Sequence, residues 1–159
     1  MAKKQDKNDI LSLIKADHQK VQSIFHEMEN MDDMAMLYEH FNLLYKEINL
    51  HAEAEELVFY PAMRDFEETE DFIEEAEEEH EEAEIMLEEI RTMEPGDPEF
   101  KQKLQELQEA MMHHIQEEEG EIFEAVKGVM GEKELKQLGE EFIAAKSRVE
   151  ADVEEAMSR

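Results

Sequence analysis

A histidine followed one helical turn later by a glutamate occurs twice in this chain, as His51-Ala-Glu-Ala-Glu55 and, 63 positions on, as His114-Ile-Gln-Glu-Glu118. The copies continue in parallel, through Glu56 to Tyr60-Pro61 and through Glu119 to Phe123. Residues four apart lie one above the other on an α-helix, so each copy aims an imidazole and a carboxylate at the same point. That is metal-ligand geometry, and it exists only if both stretches are helical. Three prolines, five glycines, no tryptophan and few β-branched residues agree with an all-α chain.

Apolar residues at steps of three and four place both pairs on core-facing stripes and add two more histidines to the set. Asn8 or Asp9 caps a first helix with Leu11, Ile14, Val21, Phe25 and Met28 on its stripe, and the vacant position of that stripe is His18. The chain breaks at Asn30-Met-Asp-Asp33, where an aspartate caps a second helix running through Leu37, Phe41, Leu44 and Ile48 into His51, Glu55 and Val58. Pro61 is expected to end or kink it near Phe59 or Tyr60. The third helix, from about Thr69 to Met93, carries Ile73, Ala76, Ala83, Leu87 and Ile90, and its vacancy is His80. Glu94-Pro-Gly-Asp-Pro98 reads as a turn, with Asp97 as cap and Pro98 in the first helical position. On the fourth helix the stripe is Phe100, Leu104, Leu107, Met111, His114, Glu118, Ile122, Ala125 and Val129, which leaves His113 and Glu117 one position off it. Gly128 and Gly131 loosen and stop that helix. A fifth, about residues 132–157, presents Leu135, Leu138, Phe142, Ala145, Val149 and Val153 but no histidine, and is expected to pack against the bundle or a partner. The expectation is a single domain over residues 1–159, with a core bundle at about 9–130.

Composition narrows the chemistry. With no cysteine, thiolate sites, iron–sulfur clusters and disulfides are excluded. A formal charge of -29, from 45 acids against 16 bases, argues against binding nucleic acid phosphates or anionic membranes and is compatible with cations. The opening residues lead into no long apolar run, so neither a signal peptide nor a membrane span is expected, and a cytoplasmic protein is the default.

Four stripes thus carry one histidine each, and two add a glutamate. Burying two carboxylates without compensation costs several kcal/mol each, whereas a pair of cations makes the same carboxylates favourable. Imidazole and oxygen ligands without sulfur suit iron, and also manganese or zinc, and two bridging-capable carboxylates favour two metals. Phe25, Leu44, Ile48, Leu87, Met111 and Ile115 are expected to keep the surroundings dry. His26, His40 and His113 are read as surface or packing residues.

His18, His51-x-x-x-Glu55 followed by Tyr-Pro, His80 and His114-x-x-x-Glu118 together resemble the hemerythrin-like (HHE cation-binding) domain over roughly residues 9 to 130. The resemblance implies an antiparallel up-down-up-down four-helix bundle, here with an additional C-terminal helix. It further implies a non-haem, oxo- or hydroxo-bridged diiron centre, with Glu55 and Glu118 bridging, His18 and His51 on one iron, and His80 and His114 on the other. This chain departs from the family's oxygen carriers in having Glu84 where they have a further histidine, and Glu119 where they have an aspartate. Glu84 is therefore a candidate seventh ligand. The function so implied is binding of dioxygen, for storage, delivery or sensing. The alternatives are a diiron oxidoreductase acting on nitric oxide or peroxide, and iron storage or delivery. The ligand is a small gas or peroxide; no electron donor, partner or oligomeric state is indicated.

Overall fold

Aspartates set where the first two helices begin. In a computed structural model of the protein, which describes residues 8–94 and 96–158, the Asp9 carboxylate accepts from Ser12 N at 2.8 Å and opens α1, Ile10–Glu29. Asp33 accepts from Ala35 N and Met36 N at 2.9 and 3.2 Å and opens α2, Met34–Ala54. Each carboxylate satisfies amide groups that have no partner within the helix. The leader Met1-Ala-Lys-Lys-Gln-Asp-Lys7 and Pro95 of the turn lie outside the described residues.

Pro61 does not end the second helix. A π turn, π1 at Glu55–Phe59, joins α2 to α3, Tyr60–Arg64, with Tyr60 N bonded to Glu55 O five residues back. The wide turn places the proline at the start of a fresh α segment, where a missing amide hydrogen is tolerated. It also shifts the helical phase by one residue after Glu55, so Tyr60 and Met63 join Glu55 and Phe59 in the interior. The same device recurs in the second copy. After α4, Glu67–Arg91, and α5, Phe100–Glu117, comes π2 at Glu118–Ile122, with Phe123 N bonded to Glu118 O, followed by α6, Phe123–Val129. Asp97 does accept from Glu99 N at 2.9 Å, but α5 begins only at Phe100, so Asp97 and Pro98 belong to the turn before it. Gly128 lies inside α6, and extended Gly131 precedes α7, Glu132–Met157.

All the regular structure among the described residues is helical. Helix α1 packs on α2, and α4 on α5; α7 lies against α1, α2 and π1. The apolar interior forms two main clusters. One holds Ile14, Ala54, Phe59, Tyr60, Ile122, Phe123 and Phe142, the other Val21, Phe25, Leu44, Ile48, Leu87 and Met111. The fifth helix is thus an integral wall of this chain. Phe142 and Ala145 complete the first cluster, and Val149 and Val153 cover Leu50. Its close approach depends on Gly139, where a Cβ would lie 1.9 Å from the backbone oxygen of Asn8.

Candidate metal centre

Between the two apolar clusters, α1, α2, α4 and α5 each contribute one imidazole to a buried polar layer. His18 and His51 have ring centroids 4.9 Å apart, and His80 and His114 5.0 Å apart. The glutamates that open the two π turns lie between these pairs and are fully buried. Glu55 Oε1 is 2.8 Å from His51 Nε2 and 3.3 Å from His80 Nε2. Glu118 places Oε1 3.1 Å from His18 Nε2 and Oε2 3.4 Å from His114 Nε2. Each carboxylate therefore touches one histidine of each pair. Two ligand atoms about 2.1 Å from one metal at right angles lie about 3 Å apart, which is the spacing seen. Two groups of donors within 4.8 Å emerge, His18, His51 and Glu118, and Glu55, His80 and His114.

The outer ring nitrogens explain why the inner atoms face one another. His18 Nδ1 donates to Glu119 at 2.7 Å, His51 Nδ1 to Asp17 at 2.9 Å, His114 Nδ1 to Glu79 at 3.0 Å, and His80 Nδ1 to Glu56 at 3.4 Å. A neutral ring that donates through Nδ1 presents a lone pair at Nε2. With the rings in that neutral form, Nε2 of His18, His51 and His114 and all four oxygens of Glu55 and Glu118 are buried without a hydrogen-bond partner. Acceptors thus converge on acceptors, and only positive charge between them makes the contacts favourable, whether as protons on the rings or as metal ions. The residues fit a pair of metals.

The arrangement repeats itself. Asp17 precedes His18 and holds His51; Glu79 precedes His80 and holds His114. Glu56 follows Glu55 and holds His80; Glu119 follows Glu118 and holds His18. Within each half the first acid serves that half's own second histidine, and the last acid crosses to the other half.

Burial alone would lower the basicity of these imidazoles, but the carboxylates outweigh it. For His51, the charge of Glu55 and the bonds to Asp17 and Glu55 raise the pKa to about 10. His114 is raised well above its ordinary value, against burial, chiefly by Glu118. His18 and His80 are also raised, against burial, by bonds to Glu118 and Glu119 and to Glu55 and Glu56. Conversely, burial would raise Glu118, yet the charge and hydrogen bond of His114 hold it well below the usual carboxylate range. Asp17 is lowered, against burial, mainly by its bond to His51.

Six of the seven residues singled out in the sequence as ligands converge here: His18, His51, Glu55, His80, His114 and Glu118. Glu84 does not. It is exposed on α4 and lines a surface recess with Glu56, Glu77 and Glu81. The helical phase explains this, since Ala83 rather than residue 84 continues the buried stripe from His80. Glu119 acts on His18 from outside the metal level. His26 and His113 are exposed, and His40 bonds Met36 O at 3.0 Å near Glu27. Reading single stripes overlooks Asp17, Glu56 and Glu79; the signal that could have found them is an acid directly before His18 and before His80, 62 positions apart, and directly after Glu55 and after Glu118, 63 apart. The sequence marks Tyr60 only by its place before Pro61, but its hydroxyl donates to His80 Nε2 at 2.9 Å, and the side chain is 1 % exposed. In the second copy that place is held by Phe123, which has no hydroxyl.

Residues 9–126 match the model of the hemerythrin HHE cation-binding domain. A curated protein from Nostoc sp., described as a DNA nickase, is 37 % identical over 147 residues. The match covers 92 % of this chain but 41 % of that protein, so the chain spans about two fifths of the relative's length. Among solved structures, a hemerythrin HHE cation-binding domain-containing protein from Mycobacterium kansasii has a TM-score of 0.80 at 19 % identity, covering 91 % of this chain and 88 % of the other. At that identity the likeness speaks for the fold.

Proposed function

We propose that this chain, which belongs to the hemerythrin HHE cation-binding family, is a non-haem diiron protein that binds dioxygen. The observation that carries this reading is the pair of fully buried glutamates, each touching one histidine of either pair with no hydrogen bond to spare its oxygens. His18 and His51 would hold one iron and His80 and His114 the other, with the carboxylates of Glu55 and Glu118 between them. The nitrogen and oxygen donor set favours iron ahead of manganese or zinc. The packing of α1 on α2 and of α4 on α5 through short connections supports an up-down-up-down bundle, with α7 laid against it.

A pair of ferrous ions in such a site supplies the electrons with which a small oxidant is held or reduced. The chain does the rest. Asp17, Glu56, Glu79 and Glu119 fix the imidazoles and make them better donors, while the clusters of Ile14 and Phe59 on one side and of Phe25 and Met111 on the other exclude water. Tyr60 makes the two ends unlike. Burial, with the charges of Glu55 and Glu118, raises its pKa well above 10.0, so it stays a neutral phenol beside His80. It is placed to donate a hydrogen bond to a ligand at that end.

Metal analysis with an oxygen titration tests the proposal. The expected result is about two irons per chain and a visible spectrum that changes when oxygen is admitted and returns when it is withdrawn. His51→Ala with Glu55→Ala should lose both. A metal-free or mononuclear protein would sink the reading. Tyr60 favours one second reading, reduction of peroxide or nitric oxide, since a phenol can pass a proton to the reduced ligand. Turnover on anaerobic addition of peroxide or nitric oxide would establish it, with Tyr60→Phe slower than the parent. The DNA activity named for the Nostoc relative is not carried over, because most of that protein lies beyond the match and a charge of -29 repels phosphates.

A further inference from the structure

The two halves of the centre are built alike but finished differently. Asp17 and Glu79 occupy matching places, each taking the Nδ1 hydrogen of a ligand histidine on the next helix, at 2.9 and 3.0 Å. The second oxygen of Asp17 meets Lys146 Nζ at 2.6 Å, a cation supplied by α7. The second oxygen of Glu79 instead faces His113 Nε2 at 3.6 Å, and His113 Nε2 lies 2.9 Å from Glu117 Oε1. Among the described residues, neither Glu79 nor Glu117 pairs with a lysine or arginine, although the two carboxylates adjoin. The repeat counterparts of His113 and Glu117, 63 positions earlier, are Leu50 and Ala54, both buried. Leu50 packs under Val149 and Val153 of α7. One half is therefore closed by apolar side chains and an ammonium. The other opens to solvent and carries two carboxylates and an imidazole whose donor atoms lie within 4.8 Å of one another.

We propose that Glu79, His113 and Glu117 form a further divalent-metal site, holding a first-row cation where the Lys146 ammonium stands in the other half. His113 and Glu117 lie one turn apart on α5 and point to one place, with Glu79 of α4 completing a face of three ligands. Two carboxylates and one imidazole suit Fe²⁺, Mn²⁺ or Zn²⁺, and the exposure of His113 leaves water to fill the remaining positions. Glu79 spans the interval between this site and His114, so a cation here stands one carboxylate away from the buried centre. The site loads that centre from solvent. This last step rests on the diiron reading; the site itself does not.

The metal-stripped chain titrated with Zn²⁺, followed by calorimetry and by the histidine ring signals in NMR, provides the test. The expected result is one ion per chain beyond those of the buried centre, with the His113 ring signals shifting as it binds. His113→Ala and Glu117→Gln change exposed or half-exposed positions; each should weaken that ion by more than about tenfold while leaving helicity and the other ions as in the parent. Both should also take up Fe²⁺ more slowly. His113 signals that stay unmoved at saturating Zn²⁺, or parental stoichiometry and affinity in both variants, would overturn the site. Parental Fe²⁺ uptake in variants that have lost the ion would overturn the loading role. If the buried centre takes no metal, the His113 signals still report, so the two failures are distinguishable.

Discussion

Each ligand imidazole is held from both sides, by a carboxylate at Nδ1 and by an inward glutamate at Nε2. The outer bond fixes the tautomer and sharpens the donor, so Glu119→Gln or Asp17→Asn should weaken metal binding about 10–100-fold in competition with a chelator. Glu84→Ala should change nothing, because that side chain never reaches the metal level. The same bonds set a pH dependence. A histidine raised from 6.5 to about 10, as His51 is, contributes stability that is complete below pH 6.5 and is lost as pH rises through about 10. Asp17 and Glu118, lowered in the fold, contribute above the usual carboxylate values of 3.8 and 4.5 and lose that contribution as pH falls. The metal-free protein should therefore be most stable between about pH 4.5 and 6.5. Metal ions displace those protons, so the calorimetric gap in Tm between loaded and metal-free protein should widen as pH rises from 6.5 toward 9.

At the scale of the elements, the two π turns and α7 decide how the centre is framed. Both π turns begin on a buried glutamate, and the change of phase they introduce after it buries Tyr60 and Phe123. Proline's effect was legible from residue 61 only as an interruption; a wide turn before it absorbs that interruption without ending the helix. Helix α7 supplies Lys146 to Asp17 and Phe142 to the ring of His51, 6.1 Å between centroids. Its seating needs Gly139. Gly139→Ala should destabilise the fold by about 1–3 kcal/mol in urea, since the new methyl must push against the backbone at Asn8 and no flexible side chain can yield there.

For the whole molecule, the buried layer divides the core into two apolar clusters and holds them apart with acceptors that face one another. Metal removal should therefore be felt everywhere. At a free metal concentration a thousand times its Kd, a bound ion adds about 4 kcal/mol to unfolding. Denaturation midpoints of loaded and stripped protein should differ accordingly, and the difference should shrink in the double variant His51→Ala, Glu55→Ala.

The apolar stripes by themselves determined the helices, their approximate limits and six convergent side chains, because a stripe with a histidine in a vacant position leaves that residue nowhere to point but inward. They also set His113 and Glu117 apart from His114 and Glu118. Periodicity along one helix says nothing of what stands across from it. Only the tertiary structure could decide that Glu84 faces solvent, that Tyr60 reaches His80, and that Asp17, Glu56, Glu79 and Glu119 hold histidines on neighbouring helices. It alone gave one half of the centre a lysine from α7 and left the other half open, because that difference depends on which face a fifth helix covers.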